Sequence, residues 1–337
     1  MREMTYAQAI EDALAQAMAA DERVVVFGED VRALRMNLYA RFGERRVRQT
    51  PISESAFLGA AVGAAMAGLR PVAELIMIDF VAVAADALIN HAAKVEAFSG
   101  GRWQVPMVVR AGCGGGYGDG GQHEQALWGW LAHIPGLKVV VPSTPADAGG
   151  LLTAAIADDG PVVFLEHQLL AEDWLDYLGS GGRSTVSYDV PAEGRIGEVP
   201  DRWEPIVLGK AAMRRTGSDL TIVGAGVGIH RAAEAAELLS REDISASILD
   251  LRSIAPLDRD AVVSDVGRTG RLLAVDEDYR DCGLTGELAA TILEAGLTAR
   301  YARVAVESTI PFDPLRERAV LPNVERIFAA ARGLMES

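Results

Sequence analysis

Apolar residues along this chain alternate between short unbroken runs and longer stretches spaced three and four residues apart. Thr5 and Gln8 make a capping-box pair. Ala9, Ile10, Ala13, Leu14, Ala17 and Met18 follow at helical spacing and predict an amphipathic helix. The run 24–27 predicts a buried strand, whereas residues 31–50 are polar and basic and carry no strand signal. Beyond them the pattern predicts helices over 55–69, 81–98, 122–132 and 146–157. Strands are predicted over 71–78, 106–110, 137–141 and 161–166, with a Gly-rich loop over 111–121. Fully apolar strands alternating with helices imply a mostly parallel sheet covered on both faces.

Residues 181–205 are rich in Gly, Ser and Pro and interrupt this rhythm, which marks a linker. The alternation then restarts with strands over 219–226, 245–251, 271–278 and 302–307 and helices following at 227–239 and 284–295. The expected architecture is therefore α/β in two domains, 1–180 and 206–337, joined by 181–205. A length of 337 residues suits two domains better than one.

Charge narrows the function. The net charge is −15 and Lys and Arg form no cluster, which argues against a nucleic-acid groove. No apolar run reaches the roughly 18 residues of a membrane span. Cys113 and Cys282 stand far apart without metal-ligand spacing, and the N-terminus shows no signal-peptide pattern. A cytoplasmic protein with a small-molecule substrate is expected.

Several motifs could carry chemistry. Gly118-Asp119-Gly120 imitates the start of a magnesium-diphosphate motif, which needs an Asn about 30 residues later. The only asparagines are Asn37, Asn90 and Asn323, so the triplet reads as a loop. Gly224, Gly226 and Gly228, with Asp250 ending the next strand, imitate a dinucleotide fingerprint. Their spacing is GxGxG and favours a tight strand-to-helix turn. Glu54 precedes a small-residue helix, where an acid ordinarily complements the helix dipole. His123 follows the glycine loop and reads as either a surface residue or a proton donor on a mobile loop.

At family level the runs TPISESAFLGAAVGAAMAGLRPVAELIMIDF, QVPMVVR, GGQHEQ, HIPGLKVVVPSTPADAGGLLTAAI, PVVFLE and LDLRSIAPLD resemble the beta subunits of 2-oxo acid dehydrogenases of the pyruvate, branched-chain and acetoin types. The match is collinear over residues 5–335. The resemblance implies a pyrimidine-binding domain, a transketolase C-terminal-like domain and an alpha-two-beta-two assembly with a beta-beta contact. It implies thiamine diphosphate shared between two chains. The alpha chain would supply the GDG…Asn motif with its Mg²⁺, and a lipoyl acyltransferase would receive the acyl group.

Residue by residue, the resemblance makes Glu54 the catalytic glutamate, whose carboxyl would hydrogen-bond the pyrimidine nitrogen and favour the imino tautomer. Phe80 would pack near the pyrimidine, and His123 would line the substrate entrance. Glu29 would belong to a chain of carboxylates between active sites. A potassium site would use oxygens at Met107, Ala155, Ile156, Asp158 and Gly160, the last usually Asn. Gln49, Glu74 and Arg110 read as structural. His91 and His133 read as core or interface residues, His167 as near a subunit boundary, and His230 as a helix-start residue.

Two departures stand out. The stretch between Glu29 and Thr50 is shorter than in the family, and Glu124 stands where Ser is common. A carboxylate there would bias His123 toward its charged form and disfavour an anionic substrate. Two alternatives stay open: the C-terminal half of a split transketolase, and a non-catalytic partner that keeps the fold.

Overall fold

The computed structural model describes residues 1–171 and 189–336. It opens with β1 (Arg2–Thr5) and α1 (Tyr6–Ala20). The Thr5 hydroxyl accepts from the Gln8 amide, and the Gln8 side chain accepts from the Thr5 amide, as the capping box requires. Next come β2 (Val24–Gly28), α2 (Val31–Leu34), α3 (Met36–Phe42) and β3 (Val47–Gln49). The basic stretch thus does hold a strand. It was hidden because only Val47 in β3 is buried, while Arg46 pins the segment by donating to the carbonyls of Met18, Asp21 and Val24. Its order comes from long-range side-chain bonds that periodicity does not report.

Helix α4 (Glu54–Met66) leads into β4 (Arg70–Met77). The helix expected over 81–98 is broken into a 3₁₀ segment (Ile78–Ala84), a π segment (Asp86–Ala92) and α5 (Val95–Phe98). Val81, Ala84, Leu88 and Ala92 are buried as helical spacing demands. A repeat of about three to four residues identifies the buried side but not the hydrogen-bond step, so the three helix types look alike in sequence. Strand β5 (Val108–Cys113) follows, then α6 (Trp128–Ala132), β6 (Lys138–Val140), α7 (Pro145–Ala157) and β7 (Val162–His167). The helix expected from residue 122 starts only at Trp128. The Gln125 carbonyl instead accepts from Gly114 and its side-chain amide donates to Asp79, which holds this stretch open.

The second half comprises β8 (Ile196–Val199), β9 (Ala212–Arg215), β10 (Leu220–Gly224), α8 (Val227–Ser240), β11 (Ala246–Asp250) and β12 (Ser253–Ala255). It ends with α9 (Arg259–Thr269), β13 (Arg271–Tyr279), α10 (Leu284–Glu294), β14 (Arg300–Val306), α11 (Pro314–Val320) and α12 (Val324–Glu336). One sheet runs β12-β6-β7-β5-β4-β2-β3 and is parallel except for β12. The other runs β14-β13-β10-β11-β9 and is parallel except for β9. Both sheets bury apolar side chains on both faces, the expected two-unit α/β architecture.

The two units are interleaved. Of the segment read as a linker, residues 181–188 lie outside the described residues. The remainder is anchored: β8 pairs antiparallel with β1, and the Trp203 indole donates to Asp12 at 2.8 Å. Trp203 lies over Gly149 of α7, where a Cβ would stand 2.2 Å from the ring. Strand β12, from the second half, completes the edge of the first sheet beside β6. The largest apolar cluster also crosses the boundary and joins Trp128, Leu131 and Val141 to Val223, Leu251 and Leu284.

Candidate active site

The C-terminal ends of β2, β4 and β5 and the start of α4 converge on one edge of the first sheet. Open parallel sheets place ligands at this edge. Glu29 follows β2 and is buried, and Glu54 is the first residue of α4. The Glu54 carboxyl lies near enough for its charge to act on Glu29. Burial first, and the Glu54 charge second, push the Glu29 carboxyl up to about 7. Near neutral pH this pair therefore holds a proton that an isolated pair of surface acids would release.

Ser55 ties the start of α4 to the 3₁₀ segment by donating to the Val83 carbonyl. Phe80 lies in that segment. Its ring meets the His123 imidazole edge-on, with centroids 5.9 Å apart and planes at 89°. Backbone contacts hold His123 in place, since its carbonyl accepts from Tyr117 Oη at 2.6 Å and from Gln168 Nε2 at 2.9 Å. The Gln125 side chain bridges Asp79 of the 3₁₀ segment to Tyr279 of β13. The Phe80–His123 contact and the start of α4, through Ser55, thus both abut the one 3₁₀ segment, and Tyr279 from the second half of the chain joins it through Gln125.

Beneath Glu29 lies a buried ion network. Arg110 donates to Glu74 at 2.9 Å and to Glu166 at 2.7 and 2.9 Å, while Arg35 donates to Glu74 at 3.0 and 3.1 Å. Burial opposes the Glu74 charge, yet the two guanidinium groups hold its carboxyl below the usual range. Burial opposes the Arg110 charge too, and the Glu166 and Glu74 carboxylates outweigh it. A cavity of about 40 Å³ links Glu29 to this network, room for a water or two. Glu74 and Arg110 thus fill the structural role expected of them.

Glu124 sits differently from expectation. It is completely buried, and its Oε1 accepts from the Asp119 amide at 2.7 Å. Its carboxyl also shares a hydrogen bond with Glu317 of α11, and Glu317 accepts from the Gly116 amide. Burial, then Glu317, push the Glu124 carboxyl up to about 9, so it adds no negative charge at the entrance. The carboxylate nearest His123 is Asp119, whose Oδ2 lies 3.7 Å from Nδ1. The triplet around Asp119 reads as a loop in sequence; the i, i+4 spacing of Asp119 and His123 is the one local signal for this contact. No local signal pointed to Glu317.

The Glu124–Glu317 pair makes stability pH-dependent with a definite sign. Glu124 keeps its proton up to about pH 9 when folded but releases it near 4.5 in the unfolded chain. Between those values the folded state binds the extra proton, so stability falls as pH rises. The Glu124→Gln side chain cannot ionise, and its thermal midpoint is expected to drop less than that of the wild type between about pH 6 and pH 9. Parallel curves from scanning fluorimetry would mean that the pair carries no shared proton.

Elsewhere the candidate residues play other parts. The Ile156 and Asp158 carbonyls accept from Arg70, the Asp158 carboxylate takes Lys138 at 2.6 Å, and the Met107 carbonyl accepts from Val162. Gly160 donates its amide to Asp158 at 2.7 Å. Arg70 and Lys138 thus already meet the Ile156 and Asp158 oxygens, while the Met107 carbonyl takes a backbone amide. His167 is fully buried and bonds Glu277 at 2.9 Å, at a boundary between halves of one chain rather than between subunits. The imidazole of His230 bonds the Ser143 carbonyl at 2.6 Å, while His91 and His133 are exposed. Gly226 caps α8 with a positive φ and packs against Val141 and His167, as a tight strand-to-helix turn requires.

Comparison with known proteins agrees with this layout. The family model for the transketolase pyrimidine binding domain matches residues 2–172, and that for the transketolase C-terminal domain matches 209–327. The chain is 39% identical to the acetoin:2,6-dichlorophenolindophenol oxidoreductase subunit beta of Cupriavidus necator, covering 99% of this chain and 98% of that one. It is 38% identical to the 2-oxoisovalerate dehydrogenase subunit beta of Bacillus subtilis, over 100% of both chains. The pyruvate dehydrogenase E1 component subunit beta of the same organism matches equally, at 38% and full coverage. A solved split-gene transketolase, described as an inactive beta4 tetramer, superposes with a TM-score of 0.79 at 20% identity, covering 99% of this chain and 98% of that one. At that identity the likeness concerns the fold alone.

Proposed function

Because the chain belongs to the family of transketolase-like dehydrogenase beta subunits, we propose that it is the beta half of a cytoplasmic thiamine-diphosphate-dependent 2-oxo acid dehydrogenase that works with an alpha chain. The observation that carries the proposal is the buried Glu29 next to Glu54 at the sheet edge, with the start of α4 tied through Ser55 to the 3₁₀ segment that holds the Phe80–His123 contact.

The fit to the cofactor can be judged from the polar atoms around the site. Among the described residues, Thr50 Oγ1, Asp79 Oδ2 and His123 Nδ1 are buried without a hydrogen-bond partner. A half-buried carboxyl, an aromatic ring and such unspent polar atoms suit the pyrimidine end of thiamine diphosphate. Glu54 and Phe80 would hold that end. When bound, the cofactor supplies the electron sink that lets a 2-oxo acid lose carbon dioxide. Glu54 would exchange a proton with the pyrimidine, with Glu29 beneath it as a second proton holder. His123 would orient the substrate carbonyl and donate a proton as the acyl group departs to a lipoyl acceptor. Phe80 would keep water off that face.

Nothing in this chain offers the diphosphate a GDG…Asn anchor, since Asp119 faces His123 and no Asn lies at the required spacing. We assign that motif and its Mg²⁺ to the alpha chain. Helix α4 supports such a partner. Beyond Glu54 and Ser55 its residues are all apolar or glycine, yet Ala56, Gly59, Ala60 and Gly63 are exposed. Helices apolar on every side are normally buried. Ile52, Val83, Phe98 and Trp103 add further uncovered apolar surface, at 80%, 64%, 78% and 58% exposure.

No helix among the described residues is long and apolar enough to cross a membrane. The test is co-purification of the tagged chain from its source cells. The complex is then assayed for 2,6-dichlorophenolindophenol reduction with pyruvate, 2-oxoisovalerate and acetoin. An alpha chain with GDG and an Asn about 30 residues on, plus thiamine-dependent turnover of one of these, is the expected result. Phosphosugar ketol transfer without dye reduction would favour the split-transketolase reading. A chain that binds no partner and no thiamine diphosphate would overturn both.

A further inference from the structure

We propose that Asp119 is the positioning residue of His123: its carboxylate holds the Nδ1–H and so presents Nε2 to the substrate. The inference rests on the reading of His123 given above. His123 has a side chain 34% exposed, but its Nδ1 is buried and, among the described residues, makes no hydrogen bond. A buried ring nitrogen without a partner is costly. Asp119 Oδ2 lies 3.7 Å away, and the Asp119 side chain is only 5% exposed. That gap is an ion-pair contact slightly longer than a hydrogen bond, as is common in a site that tightens when substrate binds.

The surroundings leave little freedom. The Asp119 amide is held by Glu124 Oε1, and Glu124 is held in turn by Glu317 from the second half of the chain. Pro314 and Phe312 pack against Gly118 and Gly120, so the loop on both sides of Asp119 is clamped by the same segment. On its other side His123 is fixed through its carbonyl by Tyr117 and Gln168, and its ring by the edge contact with Phe80. Among the described residues Asp119 is the one carboxylate within 4 Å of a His123 ring nitrogen, with Asp79 further off. A neutral imidazole carries one proton, and the acceptor beside one nitrogen decides which nitrogen keeps it. With Nδ1 protonated against Asp119, Nε2 has a lone pair to take a proton and then return it. In the reverse tautomer the Nδ1 lone pair would face the carboxylate, which is repulsive, and Nε2 could only donate.

A double-mutant cycle on the assembled enzyme tests this. The readout is kcat and KM for dye reduction with whichever of pyruvate, 2-oxoisovalerate or acetoin is turned over. His123→Ala is expected to lower kcat about 100-fold or more, and Asp119→Ala about 10- to 100-fold with KM changed less than about threefold. Asp119→Asn nearly keeps the shape, but its amide NH2 can donate to Nδ1 and favour the reverse tautomer, so it should lose at least as much kcat as Asp119→Ala. Asp119→Ala added to His123→Ala should cost less than about twofold more, because a residue acting through His123 has nothing left to act on. Additive losses, an inert Asp119→Ala, or an Asn variant within about threefold of the wild type would each overturn the inference while leaving His123 in its role. A fully active His123→Ala enzyme would remove that role and the inference with it. Size-exclusion chromatography of each variant with its partner chain confirms that equal amounts of assembled enzyme are compared.

Discussion

Glu54→Gln is expected to lower kcat of the assembled enzyme by about 10²- to 10⁴-fold, the span associated with losing a positioned acid–base group. The substitution preserves size and leaves α4 its first residue. What it removes is a carboxyl able to exchange a proton with Glu29 and with the ring it would face. If Glu54 merely complements the dipole of α4, its loss costs only about 0.3–1 kcal/mol of stability and no activity. The two roles therefore separate cleanly. A large fall in turnover with a nearly unchanged thermal midpoint and normal co-purification of the partner chain supports the catalytic role. Unchanged turnover would leave Glu54 as a helix-start acid and favour the non-catalytic alternative. The Glu29 carboxyl offers an internal check. Its position near 7 depends first on burial and next on Glu54, so losing the Glu54 charge should bring it down toward the ordinary carboxylate range. An acid-side limb in the pH–rate profile that depends on Glu29 should move to lower pH in any residual activity.

Arg110→Met is expected to be the most destabilising single change in the first sheet. The guanidinium sits on β5 between Glu74 on β4 and Glu166 on β7, and all three side chains are nearly inaccessible. Met fills much of the volume, so the loss is one of charge rather than packing. Arg35 still faces Glu74, but Glu166 is left without its partner. Removing one member of a buried pair typically costs about 3–5 kcal/mol because the remaining charge is stranded. Urea unfolding monitored by circular dichroism should show the midpoint falling with little change in slope. A loss below about 1 kcal/mol would mean that water reaches Glu166 or that the carboxyl takes up a proton at little cost. Replacing Glu166 by Gln together with Arg110→Met should recover part of the loss, since no charge is then stranded.

How much of this was readable beforehand depended on distance along the chain. Strands β2, β4, β5 and β7 were legible because each is a short apolar run between turn residues, and parallel sheets demand that pattern. Helix α1 was legible from its cap and its spacing together. Glu54, Phe80 and His123 are singled out only by the resemblance of the runs that contain them, and the roles of Glu54 and His123 rest on the variants proposed above. Strand β3 was not, because Arg46 anchors it through carbonyls of residues more than twenty positions earlier. Gly118-Asp119-Gly120 reads as a loop because no Asn follows at the required spacing, and only the fold shows the Asp119 carboxylate beside His123. Glu124 was misjudged for the same reason. Its influence is set by Glu317, and no pattern within the glycine loop could reveal that partner. Sequence periodicity reports which side of an element faces inward; it does not report which distant charge meets a buried acid.

Strand β12 ties the two halves together in time as well as in space. A ribosome finishes β6 roughly a hundred residues before it reaches Ser253. At about 5–20 residues per second the outer rim of the nascent first sheet waits on the order of ten seconds for its last strand. During that interval the Lys138–Val140 backbone is an open template that any other extended chain could pair with. Lys138 at the rim is a charge that discourages such pairing. A fragment ending before Ser253 would keep that rim open permanently, so the two halves are best regarded as one unit of synthesis even though each builds its own sheet.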